Sequence, residues 1–332
     1  MPGAVRTANG CRLCTRGAGF EGRAEGRYGM CGVIGLLIRD RDLQPQLGAM
    51  LVSMIEALDE RGPDSSGIAV YADHRSGGVG DTPRVQVSLG SDEAVDWGNL
   101  AGALAKQFAD GADAHPFGAG LVVEVSPDQQ RSLTEFIRDG WPGVRVLATG
   151  LDLRVLKDTG RPSDTCARFG VTHWEGYLAV AHTRMATESA VTVLHSHPFV
   201  PAGDLCVVHN GSFSNYATVR RSLMATGVQF DSDNDSEVAA RYLARRLEQG
   251  DDLEEATRWV MKEMDGFFTL VISTAGELSV VRDAFACKPA VVAETGDYVA
   301  VASEYRALAE LPGIATANVF EPRPEEVYTW SR

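Results

Sequence analysis

Met30 and Cys31 precede a short apolar run, Gly32-Val33-Ile34-Gly35-Leu36-Leu37, in a chain of 332 residues. A cysteine in second place behind an initiator methionine permits removal of that methionine and so becomes a first residue. It then carries both a thiol and a free α-amine, a nucleophile with its own base. An α-amine has a reference pKa of roughly 7.7–8.0, so it can take the thiol proton near neutrality and hand it to a leaving group. Alone, a cysteine before an apolar strand also reads as an inert core residue. Further polar motifs follow in order: Arg61-Gly62-Pro63-Asp64-Ser65-Ser66-Gly67, His182-Thr183-Arg184-Met185-Ala186-Thr187, His197-Pro198, His209-Asn210-Gly211, Asn215-Tyr216 and Asp235-Ser236-Glu237-Val238.

The elements that carry these motifs are read from periodicity. Cys31–Ile38 reads as a buried strand. Leu47, Met50, Leu51, Met54, Ile55 and Leu58 fall at helical spacing over 45–60. A turn-rich loop ends that helix, and Ile68–Tyr71 starts a second strand. Residues 73–165 read as an inserted α+β unit, one sheet with helices on one face, in the order strand (84–89), helix (91–108), strand (120–125), helix (127–138) and two strands (144–149 and 151–155). An apolar strand delivers His182–Ser189, and Leu205–Val208 leads into His209-Asn210-Gly211. Helices are expected near 216–227 and 252–264 and after Asp235 or Ser236, either of which suits a helix N-cap. Short strands follow at 266–273, 278–282, 290–293 and 298–302, then a short helix at 304–308. Many short strands in hairpin succession with a few amphipathic helices favour two stacked sheets flanked by helices.

Composition narrows the function classes. The chain is 44% apolar and 23% charged, with a net charge of −14, which disfavours nucleic acid and anionic membrane surfaces as partners. No apolar run approaches the ~20 residues of a membrane span. The six cysteines show no disulfide framework, and a cytoplasmic setting is expected. Cys11 and Cys14 form a lone CxxC without a second pair, so no metal is expected there. Cys166, Cys206 and Cys287 read as buried hydrophobes, and His182, His195 and His209 as structural hydrogen bonders. Residues 1–30, rich in arginine and glycine, are expected to be a leader that is removed or not translated, and 321–332 a C-terminal tail.

The ordered set of motifs resembles the class II glutamine amidotransferases, the N-terminal-nucleophile glutaminase domains, across roughly 31–310. Arg282-Asp283-Ala284-Phe285-Ala286-Cys287-Lys288-Pro289 and Ser303-Glu304-Tyr305-Arg306 extend the likeness. With Met185-Ala186-Thr187-Glu188-Ser189, they are most similar to the stand-alone amidotransferase subunits of archaeal-type glutamate synthases and N-methylglutamate synthases. The resemblance implies an α+β four-layer αββα sandwich of two antiparallel sheets. It implies Cys31 as the nucleophile on the glutamine carboxamide, with Asn210 and Gly211 as oxyanion donors. Arg184 offers a planar fork for the α-carboxylate, and Asp235 would hold the α-ammonium, beside its reading as a helix cap. Thr187 and His197 would wall the glutamine pocket, and Arg61 would bond backbone near Cys31. Many relatives have Trp and His where Met185 and Glu188 stand here.

No cofactor is expected in this chain, which has no cysteine cluster for an iron–sulfur centre. Ammonia is expected to pass to a separate synthase subunit, by resemblance a flavin- and iron–sulfur-containing glutamate synthase core. Two other readings stay open: a catalytically silent glutamine-sensing or scaffolding subunit, and a hydrolase or transferase acting on a γ-glutamylamide such as that of methylamine.

Overall fold

The computed structural model describes residues 30–73, 83–108, 111–185 and 191–332. Four layers stack: helix, sheet, sheet, helix. The first sheet has seven strands in the order Asn318–Phe320, Val291–Glu294, Tyr298–Ala302, Gly32–Ile38, Leu178–Arg184, Ser65–Tyr71 and Leu153–Thr159. The second has five, in the order Val327–Ser331, Glu277–Arg282, Gly266–Ser273, Leu205–Phe213 and Phe199–Ala202. All the registered pairings are antiparallel.

Alternation along Gly32–Ile38 shows why its sequence is continuously apolar. Ile34, Leu36 and Ile38 pack beneath the helix Leu47–Leu58, which presents Leu47, Leu51, Met54, Ile55 and Leu58 to them. Val33 and Leu37 face the other way, into a core shared with Val208, Val271, Leu278 and Val280 of the second sheet. A strand covered on both faces has no polar side to display. The outer face of the second sheet is covered by the helices Tyr216–Ala225, Asp235–Glu248 and Leu253–Glu263, through Val219, Leu223, Val238, Leu243, Ala256 and Val260.

A smaller four-stranded sheet, in the order Asp113–Phe117, Gly120–Val125, Val85–Gly90 and Arg145–Gly150, shares no strand with the sandwich but packs on it through Leu147 and Ala148. The helices Trp97–Gln107 and Gln130–Gly140 bury Leu100, Leu104, Leu133 and Ile137 against it. The strand Leu153–Thr159, expected with this inserted unit, pairs instead with Ser65–Tyr71 in the main sheet. The stretch 321–332, expected as a tail, supplies the edge strand Val327–Ser331, whose Trp330 is buried between the sheets. Cys287, expected to be buried, is exposed on the loop after Arg282, while Cys166 and Cys206 are buried. Among the described residues no helix is long and apolar enough to cross a membrane. Cys11, Cys14 and the remainder of 1–29 lie outside the described residues, as do Thr187 and Glu188.

Candidate active site

Antiparallel pairing places the expected residues at one end of the sandwich. Gly32 pairs with Thr183, so Cys31 lies beside Arg184 at the ends of adjacent strands. Ser65 pairs with Arg184 on the other side, and the Asp64 N–H donates to the Arg184 carbonyl at 3.0 Å. The loop before Ser65 brings in Arg61, which ion-pairs with Glu304 and donates from Nη2 to the Cys31 carbonyl at 3.3 Å. Asn210 Nδ2 donates to the same carbonyl at 3.0 Å. That carbonyl is thus held by one residue from the loop before Ser65 and one from a strand of the second sheet.

Gly211, next along the strand, has φ +152°, a conformation that disfavours a side chain. A Cβ there would lie 2.1 Å from the Phe267 carbonyl oxygen and 2.9 Å from His209 Nε2. Its backbone therefore approaches the neighbouring strand closely.

Asp235 is the first residue of its helix. The N-cap is Asn234, whose side chain accepts from the Ser236 N–H at 2.9 Å, so neither expected cap fills that position. The Asp235 carboxylate instead accepts the Phe213 N–H at 2.9 Å and the Ser236 hydroxyl at 3.2 Å. Glu237 organises the preceding loop, accepting from Asp231 N–H, Ser232 N–H and the Ser232 hydroxyl at 2.9, 2.8 and 2.7 Å. Sequence reasoning had not singled it out, though a carboxylate in the first turn of a helix is a local signal for such a role.

Cys31, Arg184, His197, Asn210, Gly211 and Asp235 line one cavity of about 570 Å3, and His182, His209, Asp233, Phe267 and Lys288 are also in its wall. Lys288 and Phe267 were not anticipated; Lys288 lies in a recognised motif, but nothing local points it inward. His209 Nδ1 bonds the Ser236 hydroxyl at 2.6 Å, and His195 bonds Asp233 and Thr192 at 2.8 and 2.7 Å.

The electrostatics follow from burial. Burial raises the Cys31 thiol above the ordinary thiol value, against the opposing charges of Arg184, Lys288 and Arg61. The thiol is therefore protonated at neutral pH and needs a local base to act as a nucleophile. Burial also lowers His182 to about 3 and depresses His197 and His209, so these imidazoles are neutral. Among the described residues no group of three or more His, Cys, Asp or Glu side chains converges as a metal site would need.

A two-sheet αββα sandwich with a cysteine at the head of a central strand is the architecture of N-terminal-nucleophile amidohydrolases. A family model described as a glutamine amidotransferase domain matches residues 182–310. The glutamine amidotransferase-like protein GlxB of Rhizobium meliloti is 41% identical over 301 residues, covering 91% of this chain and 98% of that protein. A glutamine–fructose-6-phosphate aminotransferase of Mycobacterium tuberculosis is 34% identical over 172 residues, half of this chain and 28% of that enzyme. The glutamine phosphoribosylpyrophosphate amidotransferase structure from B. subtilis superposes with a TM-score of 0.56 at 17% identity, a likeness of fold, over 91% of this chain and 49% of that one. This chain thus spans about half the length of that solved protein. It belongs to the class II glutamine amidotransferase family.

Proposed function

We propose that the chain hydrolyses glutamine through a thioester on Cys31, after the Met30–Cys31 bond has been cut, and supplies the ammonia to a separate synthase subunit in the cytoplasm. The observation that carries this reading is the shared cavity, in which Cys31, Asn210, Gly211, Arg184 and Asp235 meet although they come from four distant segments. Met30 is exposed and lines the same cavity.

In this mechanism the freed α-amine takes the Cys31 thiol proton as Sγ attacks the glutamine carboxamide. The Asn210 side-chain amide and the Gly211 N–H receive the oxyanion. The α-amine then returns the proton to the departing nitrogen, the C–N bond breaks and the thioester forms. Water attacks next, with the same amine as base, and glutamate leaves. Arg184 receives the α-carboxylate as a bidentate fork, Asp235 receives the α-ammonium, and His197 walls the pocket. Arg61 and Asn210 hold the Cys31 backbone so that Sγ has one direction of attack.

The test is intact mass combined with glutaminase activity. A preparation whose mass begins at Cys31 should hydrolyse glutamine, and Cys31→Ala should abolish turnover with an unchanged circular dichroism spectrum. Retained hydrolysis in Cys31→Ala sinks the proposal. An inactive wild-type chain that begins at Cys31 moves the silent-subunit reading to the front.

A further inference from the structure

Lys288 is a cation that the hydrolysis of glutamine does not employ. Its turn is built rigidly: the Asp283 carboxylate accepts from Phe268, Phe285 and Ala286 N–H groups at 2.6, 2.6 and 3.1 Å, and Thr269 donates to the Lys288 carbonyl at 2.7 Å. The Arg282 guanidinium closes the turn on the Ala286 and Pro322 carbonyls. From this base the ammonium lies 5.4 Å from the centre of the Phe267 ring. Among the described residues it has no carboxylate or hydrogen-bond partner. Phe267 is 44% exposed and lines the cavity. Its strand neighbours Gly211, with Ser212 opposite Phe267 and Gly211 opposite Phe268. A cation over an aromatic face, unpaired among the described residues, therefore stands beside the oxyanion donors. A cavity of about 570 Å3 is of the size that larger ligands occupy, and one amino acid fills only part of it.

We propose that Lys288 and the Phe267 face form an acceptor subsite for a carboxylate-bearing amine, so that the Cys31 thioester passes its γ-glutamyl group to an amino acid as well as to water. This rests on the thioester reading above. The acceptor's neutral amine attacks the thioester carbonyl; the C–N bond forms as the C–S bond breaks. One amine proton passes through the Cys31 α-amine to Sγ, restoring the thiol, and no oxidant or reductant takes part. The acceptor carboxylate pairs with the Lys288 ammonium, while its carbon chain lies on Phe267.

The experiment supplies glutamine to the chain beginning at Cys31, with either glycine or ethanolamine, whose amines have similar basicity. Mass spectrometry quantifies the two γ-glutamyl products, and hydrolysis and hydroxylamine trapping are followed in parallel. Transfer to glycine is expected to exceed transfer to ethanolamine by about tenfold, the ratio one charge-assisted contact gives. The preference should vanish in Lys288→Met and survive in Lys288→Arg. Equal transfer to the two amines in the wild type, or a glycine preference that persists in Lys288→Met, overturns the subsite. Absence of transfer to either amine while hydrolysis and trapping proceed also overturns it. Loss of hydrolysis, trapping and transfer together overturns the thioester reading instead.

Discussion

Acidification should destabilise this protein well above the pH at which its carboxylates titrate, because three imidazoles are buried without charge. His182, His197 and His209 are 1%, 6% and 3% exposed. Their ring centroids lie 4.2 Å apart for His182 and His197 and 6.2 Å apart for His197 and His209. Phe199 closes the row edge-on at 5.0 Å from His197, and Phe213 stacks on His209 at 4.4 Å. A proton on any ring would be desolvated; on His182 it would also face His209 and Arg184, on His197 the other two imidazoles, Lys157 and Arg184, and on His209 Lys288, which Asp235 opposes. In the unfolded chain each histidine titrates near 6.5. Below that pH the unfolded state binds protons that the folded state refuses, so stability is fully present above about 6.5 and falls as pH drops. With His182 lowered to about 3, its share of the loss is about 2 kcal/mol between pH 7 and 5 and ~4 kcal/mol by pH 3. His197 and His209 act in the same direction. The total is large against a typical stability of about 5–15 kcal/mol. Asp59 and Asp233, held below the ordinary carboxylate value by hydrogen bonds, lose their contributions only at lower pH. Urea midpoints at pH 7.5, 6.5, 5.5 and 5.0 would read the effect. His182→Gln should flatten the slope by about one histidine's share. A midpoint that stays constant from pH 7 to 5, or a slope indifferent to His182→Gln, would refute the buried-neutral account.

Three further outcomes can be measured directly. Arg184→Lys should raise the KM for glutamine with little change in kcat, because the planar fork becomes a point charge; steady-state kinetics showing an unchanged KM removes Arg184 from the carboxylate role. Asn210→Ala should lower kcat by about 10²–10³, and a smaller loss would leave the Gly211 N–H as the principal oxyanion donor. Gly211→Ala forces a methyl to within 2.1 Å of the Phe267 carbonyl, so the two strands must part; denaturation should show a loss of about 2–4 kcal/mol, and kcat should fall as the N–H is displaced.

Much of this site was legible because its chemistry is carried by short contiguous motifs. Cys31 announces itself by its place before an apolar run, Arg184 and Asn210 by their neighbours in the chain, and the helix Leu47–Leu58 by its period. Strand Gly32–Ile38 was equally readable, since burial on both faces leaves an unbroken apolar run. Thr187 belongs to the same motif and lies outside the described residues.

Tertiary structure alone decided which segments meet. Hydrogen bonding between strands is non-local, and a period of two says nothing of which neighbour a strand will choose. Leu153–Thr159 therefore joined Ser65–Tyr71 rather than the inserted sheet, and Val327–Ser331 entered the second sheet because Trp330 gains a place between the layers. The choice of Asn234 as the cap left the Asp235 carboxylate to the Phe213 N–H and the cavity. Lys288 faces the same cavity because its turn, closed locally by Asp283, is tied to Phe268 and Thr269 of the neighbouring strand. The sequence by itself determined the reactive groups and the class of reaction they suit. Their mutual distances, the neutrality of the buried histidines and the inward cation came only from folding, because each depends on groups far apart along the chain.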